Sequence, residues 1–232
     1  VVNKRIEREA RAEPRWPAVA AILVALTLYA LLPSSFLPAL RIIVVVIGFA
    51  LLIPVIAVNP VTLKRQTRWS RRISVALTVL LAAANQVALV QLIAQLLLSG
   101  SKAEAPVLLL AAVQVWATNI IVFALIYWDL DRGGPVTRTQ AERKDMPEAD
   151  FRFPQDEDYD TVKEVVAGSS KKSDWTANFI DYLYFSLSNS MAFSPPDAVP
   201  LTNRAKIIVG FEALGAYVLL VLVIARAVSL LG

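Results

Sequence analysis

Residues 181–204 read DYLYFSLSNSMAFSPPDAVPLTNR. The stretch opens with an acid and three aromatic residues, Tyr182, Tyr184 and Phe185, then passes through a run of Ser and Asn. It meets consecutive prolines at Pro195 and Pro196 and ends in Thr202 and Arg204, just before a long apolar run. Whether it crosses a bilayer or turns back inside it decides the topology of the C-terminal part of the chain.

The surroundings leave little doubt about the solvent. The 232 residues are 56% hydrophobic and the mean hydropathy is +0.56, too apolar for an ordinary water-soluble domain. The apolar residues are grouped in runs near the length of about 20 residues needed to cross a bilayer. Runs fall at residues 16–32, 40–58, 73–98, 106–128, 175–193 and 205–231. None shows the alternation of a membrane β-strand, so helices are expected. The fold class is an all-α polytopic integral membrane protein with about six transmembrane segments. The first run lacks a small-residue cleavage site followed by a soluble domain, so a cleavable signal peptide is not expected.

Composition also narrows the chemistry. The chain has no Cys and no His, which excludes disulfides, thiolate or imidazole metal sites and the usual catalytic triads. No nucleophile–base pair or ligand constellation stands out among the carboxylates, lysines and hydroxyls. Neither an enzyme nor a cofactor or metal is expected. The isoelectric point near 9.4 does not imply a nucleic-acid partner, because the basic residues gather at the ends of apolar runs, where they set topology.

Lys4, Arg5, Arg8, Arg11 and Arg15 precede the first run, and Lys64, Arg65, Arg68, Arg71 and Arg72 follow the second. The loops after the first and third runs carry little charge. The positive-inside rule puts the N-terminus and the 64–72 loop in the cytoplasm of a multi-pass cell-membrane protein. Residues 1–15 then form a basic tail, 16–128 a four-helix region, 129–173 a charged cytoplasmic linker and 174–232 a helical pair. The linker holds too few apolar residues for its own core and reads as solvated. Phe151, Phe153 and Tyr159 are its candidates for docking on the bundle or on a partner.

Residues 181–204 resemble the pore loop of the bacterial two-transmembrane and tandem-pore potassium channels. Asp181, Tyr184, Phe185 and Ser186 match the opening of that family's pore helix. Asp197 stands at its outer-mouth spacing, and Pro200, Thr202 and Arg204 match the start of its inner helix. The resemblance covers about 50 residues. It implies a cation channel built as a homo-oligomer, with a tetramer as the first expectation, and a monovalent cation as the passenger. Gly210 and Gly215 stand near where such inner helices bend. The ion-selective centre is absent: Ala192-Phe193-Ser194-Pro195-Pro196 occupies its place. A potassium filter aims successive carbonyls at one axis, with glycines in left-handed conformations that proline's locked φ cannot adopt. Cation passage of altered selectivity, or a non-conducting descendant, is the expected function. The alternative is a membrane scaffold acting through the 129–173 linker.

The charge alternation favours a full crossing by the fifth run, whose length of about 19 residues reaches roughly 29 Å. That puts both termini in the cytoplasm and Asp197 outside. A re-entrant pore helix is the rival reading. Polar groups inside the membrane are expected to face a path or a neighbouring helix. The candidates for an ion path are Asp181, Ser186, Ser188, Asn189, Ser194, Asp197 and Glu212, and Glu212 stands out as an ionisable group well inside the last run. Asn85, Gln86, Gln114 and Asn119 read as interhelical glue. Most of the tryptophans read as interfacial anchors. Arg132-Gly133-Gly134-Pro135 is too short for a phosphate loop, and the acids at 156–160 lack the spacing of a calcium loop.

Overall fold

The computed structural model describes residues 12–33, 36–64, 67–98, 105–142, 145–157, 175–191 and 197–231. In chain order these form α1 (Trp16–Ala30), α2 (Pro38–Val58), α3 (Arg68–Leu98), α4 (Ala105–Leu130), α5 (Pro135–Gln140), β1 (Phe151–Arg152), α6 (Phe179–Ser190), β2 (Val199–Pro200) and α7 (Asn203–Leu231). Four of them, α2, α3, α4 and α7, are long and apolar enough to cross a membrane. Among the described residues four helices, and not six, meet the length and composition of a span. Helix α1 has 15 residues and α6 has 12, both below the usual spanning length. The two-residue strands pair antiparallel, Phe151 opposite Pro200, and form a clasp on an otherwise helical protein.

Helix α4 is the hub. Of its most apolar window 67% is buried inside the protein, against 17% for α7. Between helices in lipid the hydrophobic effect offers little, so close approach depends on small residues and packing. Ala18, Ala21 and Ala25 of α1 are buried, as are Ala111, Ala112 and Ala124 of α4. At Gly48 of α2 an added Cβ would lie 2.6 Å from the tip of the Leu26 side chain, so any larger residue there would make Leu26 shift. The amides act as expected: Asn85 and Gln86 both donate to Asn119 Oδ1, at 2.7 and 3.2 Å, and join α3 to α4. Gln114 donates to the Leu31 carbonyl at the end of α1.

The fifth run forms a helix shorter than a span. Asn178 caps α6 by accepting from Ile180 N, and Asp181 Oδ2 accepts from Asn178 N at 2.8 Å. This reciprocal box fixes the helix start four residues after Trp175. Twelve residues rise roughly 18 Å, about half a bilayer. The start of α6 lies beside the end of α4, where Trp128 and Phe179 stack edge to face. Its last turn lies beside Ile120 and Glu212. By residue 199 the chain is back beside β1, and α7 starts from the same end as α6. This path, in and out at one end of the bundle, has the form of the re-entrant reading. One consequence concerns the termini: α1 starts at the end carrying Arg15 and Arg68, whereas Leu219 and Leu222 of α7 pack at the other, with Tyr29 and Leu96. Trp16 and Leu231 thus lie at opposite ends of the bundle, not at one face.

The linker is not simply solvated. Helix α4 ends in a tight turn, with positive φ at Arg132, Gly133 and Gly134, which the two glycines accommodate without strain. Phe151 and Phe153 are buried and make edge contacts with Tyr127, Tyr182 and Phe185. Residues 158–174, with Tyr159, lie outside the described residues.

Single cysteines test the topology, since the chain has none of its own. Glu148→Cys and Asp197→Cys, both exposed, are expected to react with an impermeant maleimide from the same side of sealed vesicles. Labelling from opposite sides would mean that α6 spans after all.

Candidate functional site

Two polar layers organise the half-helix, one at each of its ends. At the entry end, Arg138 of α5 is 1% exposed. Its guanidinium donates to the Trp128 carbonyl at 2.7 Å, the Ala177 carbonyl at 2.9 Å and Glu13 Oε2 at 3.3 Å. It also lies over the Tyr182 ring, 4.9 Å from the centroid. Glu13 in turn accepts from Trp128 Nε1 and from Phe179 N. This one ion pair ties the approach to α1, the end of α4 and the start of α6. Beside it, Asp131 accepts from the Tyr182 hydroxyl at 2.5 Å and from Asp150 N at 2.7 Å. Asp150 is held by the Arg204 guanidinium through two bonds of 2.6 and 2.7 Å and by the Thr202 hydroxyl.

At the inner end, Glu212 of α7 is 1% exposed. Four donors converge on its carboxylate. Tyr127 Oη and Asn189 Nδ2 reach Oε2, each at 2.6 Å. Ser190 Oγ reaches Oε1 at 3.2 Å, and the Ser186 hydroxyl lies against the same oxygen and the Ile120 carbonyl. Asn189 also reaches the Val209 carbonyl. No cationic side chain pairs with Glu212 among the described residues. The arrangement suits an anion: donors supply hydrogen bonds but no formal charge.

The sequence candidates divide accordingly. Ser186, Asn189 and Glu212 meet in one cage. Ser188 is buried on the same helix but makes no bond to Glu212 among the described residues. Asp181 caps α6 at its entry, at the opposite end of the helix from the Glu212 cage. Asp197 is exposed and lies on the return strand, at the same end as Arg204. Ser194 lies outside the described residues. Gly210 and Gly215 sit in an unbroken helix and show no hinge. Thr202 and Arg204 fasten the linker through Asp150.

Tyr127 and Ser190 escaped the sequence reading. A tyrosine near the end of an apolar run passes for an interfacial anchor, and only the antiparallel packing of α4 on α6 brings it to Glu212. Arg138, Asp131 and Asp150 looked like solvated charges. Their one local signal is the alternation of Asp150, Phe151, Arg152 and Phe153, which fits a chain lying on a surface. No protein-family model, curated protein or solved structure matches the chain.

Glu13 gives the entry layer a pH dependence. Burial pushes its carboxyl above the ordinary range, and the charge of Arg138 with the Phe179, Trp128 and Arg138 hydrogen bonds pulls only part of the way back. The folded protein thus holds this proton more tightly than the unfolded chain. The resulting stabilisation is complete below the ordinary carboxyl value and is lost as pH rises through the raised one. Melting temperatures of the wild type, taken relative to Glu13→Gln, are expected to fall as pH rises through that window. A flat or rising difference contradicts the burial of Glu13.

At the inner end, Glu212→Ala removes the acceptor of Tyr127 and Ser190, while Ser186 and Asn189 keep the Ile120 and Val209 carbonyls; it is expected to cost about 3 kcal/mol, with Glu212→Gln costing less. Thermal unfolding of the detergent-solubilised variants measures both. Equal stability of all three proteins would show that the cage is not formed.

Proposed function

We propose that this chain is a channel-like membrane protein that passes or exchanges a monovalent cation, a proton included, through the niche where α6 ends against Glu212. The observation that carries the reading is the half-helix itself. Helix α6 enters the bundle from one end, stops near its middle beside a buried carboxylate, and hands over to α7 at the end it came from. A helix concentrates partial negative charge at its C-terminus. That terminus and Glu212 together make the middle of the bundle attractive to a cation. Ionisable residues at such depth mark ion or proton paths more often than they serve packing.

The cage chemistry fits this passenger. The hydroxyls of Tyr127, Ser186 and Ser190 each have lone pairs as well as a proton. Rotating away from Glu212, they offer oxygen ligands to a small cation while the carboxylate supplies the charge. Selectivity of the potassium-filter kind is not part of this reading, since prolines stand where that filter needs glycines. The order of α4, α6 and α7 is that of outer helix, pore helix and inner helix in the channel family. If the basic end faces the cytoplasm, as the positive-inside rule argues, the re-entrant loop opens inward and the end of α7 lies outside. A homo-oligomer, tetrameric as in that family, belongs to the same proposal. The Glu212 site lies within one chain, however, so cation passage does not depend on a shared central axis.

The scaffold alternative has less support. The described half of the linker spends its aromatic residues on the chain's own bundle and leaves fewer for a partner.

Reconstitution decides between conduction and a silent descendant. Purified protein in liposomes is expected to raise the flux of at least one of H⁺, Na⁺ and K⁺ above that of empty liposomes. Glu212→Gln is expected to lower it by at least an order of magnitude while remaining folded. The reading fails if no cation moves, or if the variant conducts as well as the wild type.

A further inference from the structure

A cavity of about 420 Å³ opens at the basic end, between the first turns of α3, the last turns of α4 and the start of α7. Its wall is apolar, with Val75, Val79 and Ile126 among its lining residues, and its rim carries Arg71, Asp129 and Arg204. Val75 and Val79 are 41% and 59% exposed, so the wall continues onto the lipid-facing side of α3.

The rim charges are unequally satisfied. Arg204 is committed to Asp150. Arg71 donates to the Gly133 carbonyl but pairs with no carboxylate within salt-bridge distance among the described residues. Asp129 is met only at Oδ2, by Ser74 Oγ at 3.4 Å and Thr78 Oγ1 at 3.2 Å. No described donor reaches its Oδ1. The carboxylate is half-buried and has no direct ion pair among the described residues, with the Arg71 and Arg138 charges acting on it from farther off, so its Oδ1 is open to a donor from outside the chain.

We propose that this cavity binds an aminophospholipid of the phosphatidylethanolamine type. The phosphate is taken by the Arg71 guanidinium, which suits phosphate geometrically. The primary ammonium is taken by Asp129, and an acyl chain lies along Val75, Val79 and Ile126. Charge complementarity selects among lipids. A purely anionic headgroup meets Asp129 with like charge, and a quaternary ammonium has no N–H to give its oxygens. A zwitterion with a primary amine matches both signs on the rim, and the apolar wall distinguishes a lipid from a soluble phosphate ester. This site is separate from the Glu212 cage and does not depend on cation passage.

The test uses the full chain in detergent, with phosphatidylethanolamine, phosphatidylcholine and phosphatidylglycerol of identical acyl chains added in turn. Native mass spectrometry counts retained adducts, and thermal unfolding reads the stabilisation. Phosphatidylethanolamine is expected to be retained severalfold more than the other two and to raise the melting temperature most. Asp129→Asn should abolish that preference while still binding phospholipid. Arg71→Gln should weaken retention of every phospholipid. Val79→Phe, which fills the wall without touching the charges, should also release the adduct. Equal retention of the three lipids, a preference for phosphatidylglycerol, or a preference that persists in Asp129→Asn overturns the proposal. Full displacement by soluble glycerophosphoethanolamine would overturn the lipid assignment.

Discussion

The Arg138 guanidinium holds together three parts of the chain that sequence alone leaves far apart. It reaches the carbonyl that ends α4, the carbonyl that precedes α6 and the carboxylate that precedes α1. An arginine at this position suits the task because its planar fork supplies several fixed donors and its charge is hard to remove. Burial makes the arrangement demanding: removing Glu13 alone leaves an unpaired buried cation, a loss of about 3–5 kcal/mol in comparable sites. The entry geometry of α6 follows from this. With Trp128, Ala177 and Phe179 held in one cluster, the half-helix has only one direction open to it, along α4 toward Glu212.

The two polar layers differ in chemistry because they differ in depth. Near the aqueous end, opposite charges pair directly: Glu13 with Arg138, Asp150 with Arg204, Arg132 with Asp156. Eighteen ångströms or so along α6, the only described charge is Glu212, and neutral donors surround it. The aromatic cluster of Tyr127, Phe151, Tyr182 and Phe185 fills the space between. Tyr127 and Tyr182 have their hydroxyls at opposite levels, one on Glu212 and one on Asp131. Each tyrosine therefore joins the apolar middle to one polar layer, which suits a side chain with an apolar body and a polar tip.

Much of the helical frame was legible. The runs at 40–58, 73–98, 106–128 and 205–231 became α2, α3, α4 and α7, because spanning helices in lipid have only their own backbone to bond with. Glu212 was legible as well, since an ionisable residue inside such a run is costly. The half-helix was not resolved by hydropathy. Its signals were a capping pair, Asn178 and Asp181, and the prolines at 195 and 196, and those describe where a helix starts and stops rather than how deep it goes. Charge counting missed the linker's anchoring. It treated 129–173 as a solvated loop, whereas the acids Asp131 and Asp150 are buried and bind the loop to the bundle. Sequence distance hid this: the partners of Asp131 and Asp150 lie 19 to 54 residues away.

A half-helix that enters and leaves by the same face has a consequence for biogenesis. A segment of 12 residues with serine, asparagine and aspartate along it is too short and too polar to be threaded across by an insertion machinery that selects long apolar stretches. Such a segment is expected to stay at the surface while α7 inserts. Only when α1, α4 and α7 have assembled is there a niche with an acceptor at its base for the serines and the asparagine. The last act of assembly is thus more like ligand docking than like membrane insertion, and a variant lacking the Glu212 acceptor would be expected to stall there, with every spanning helix already in place.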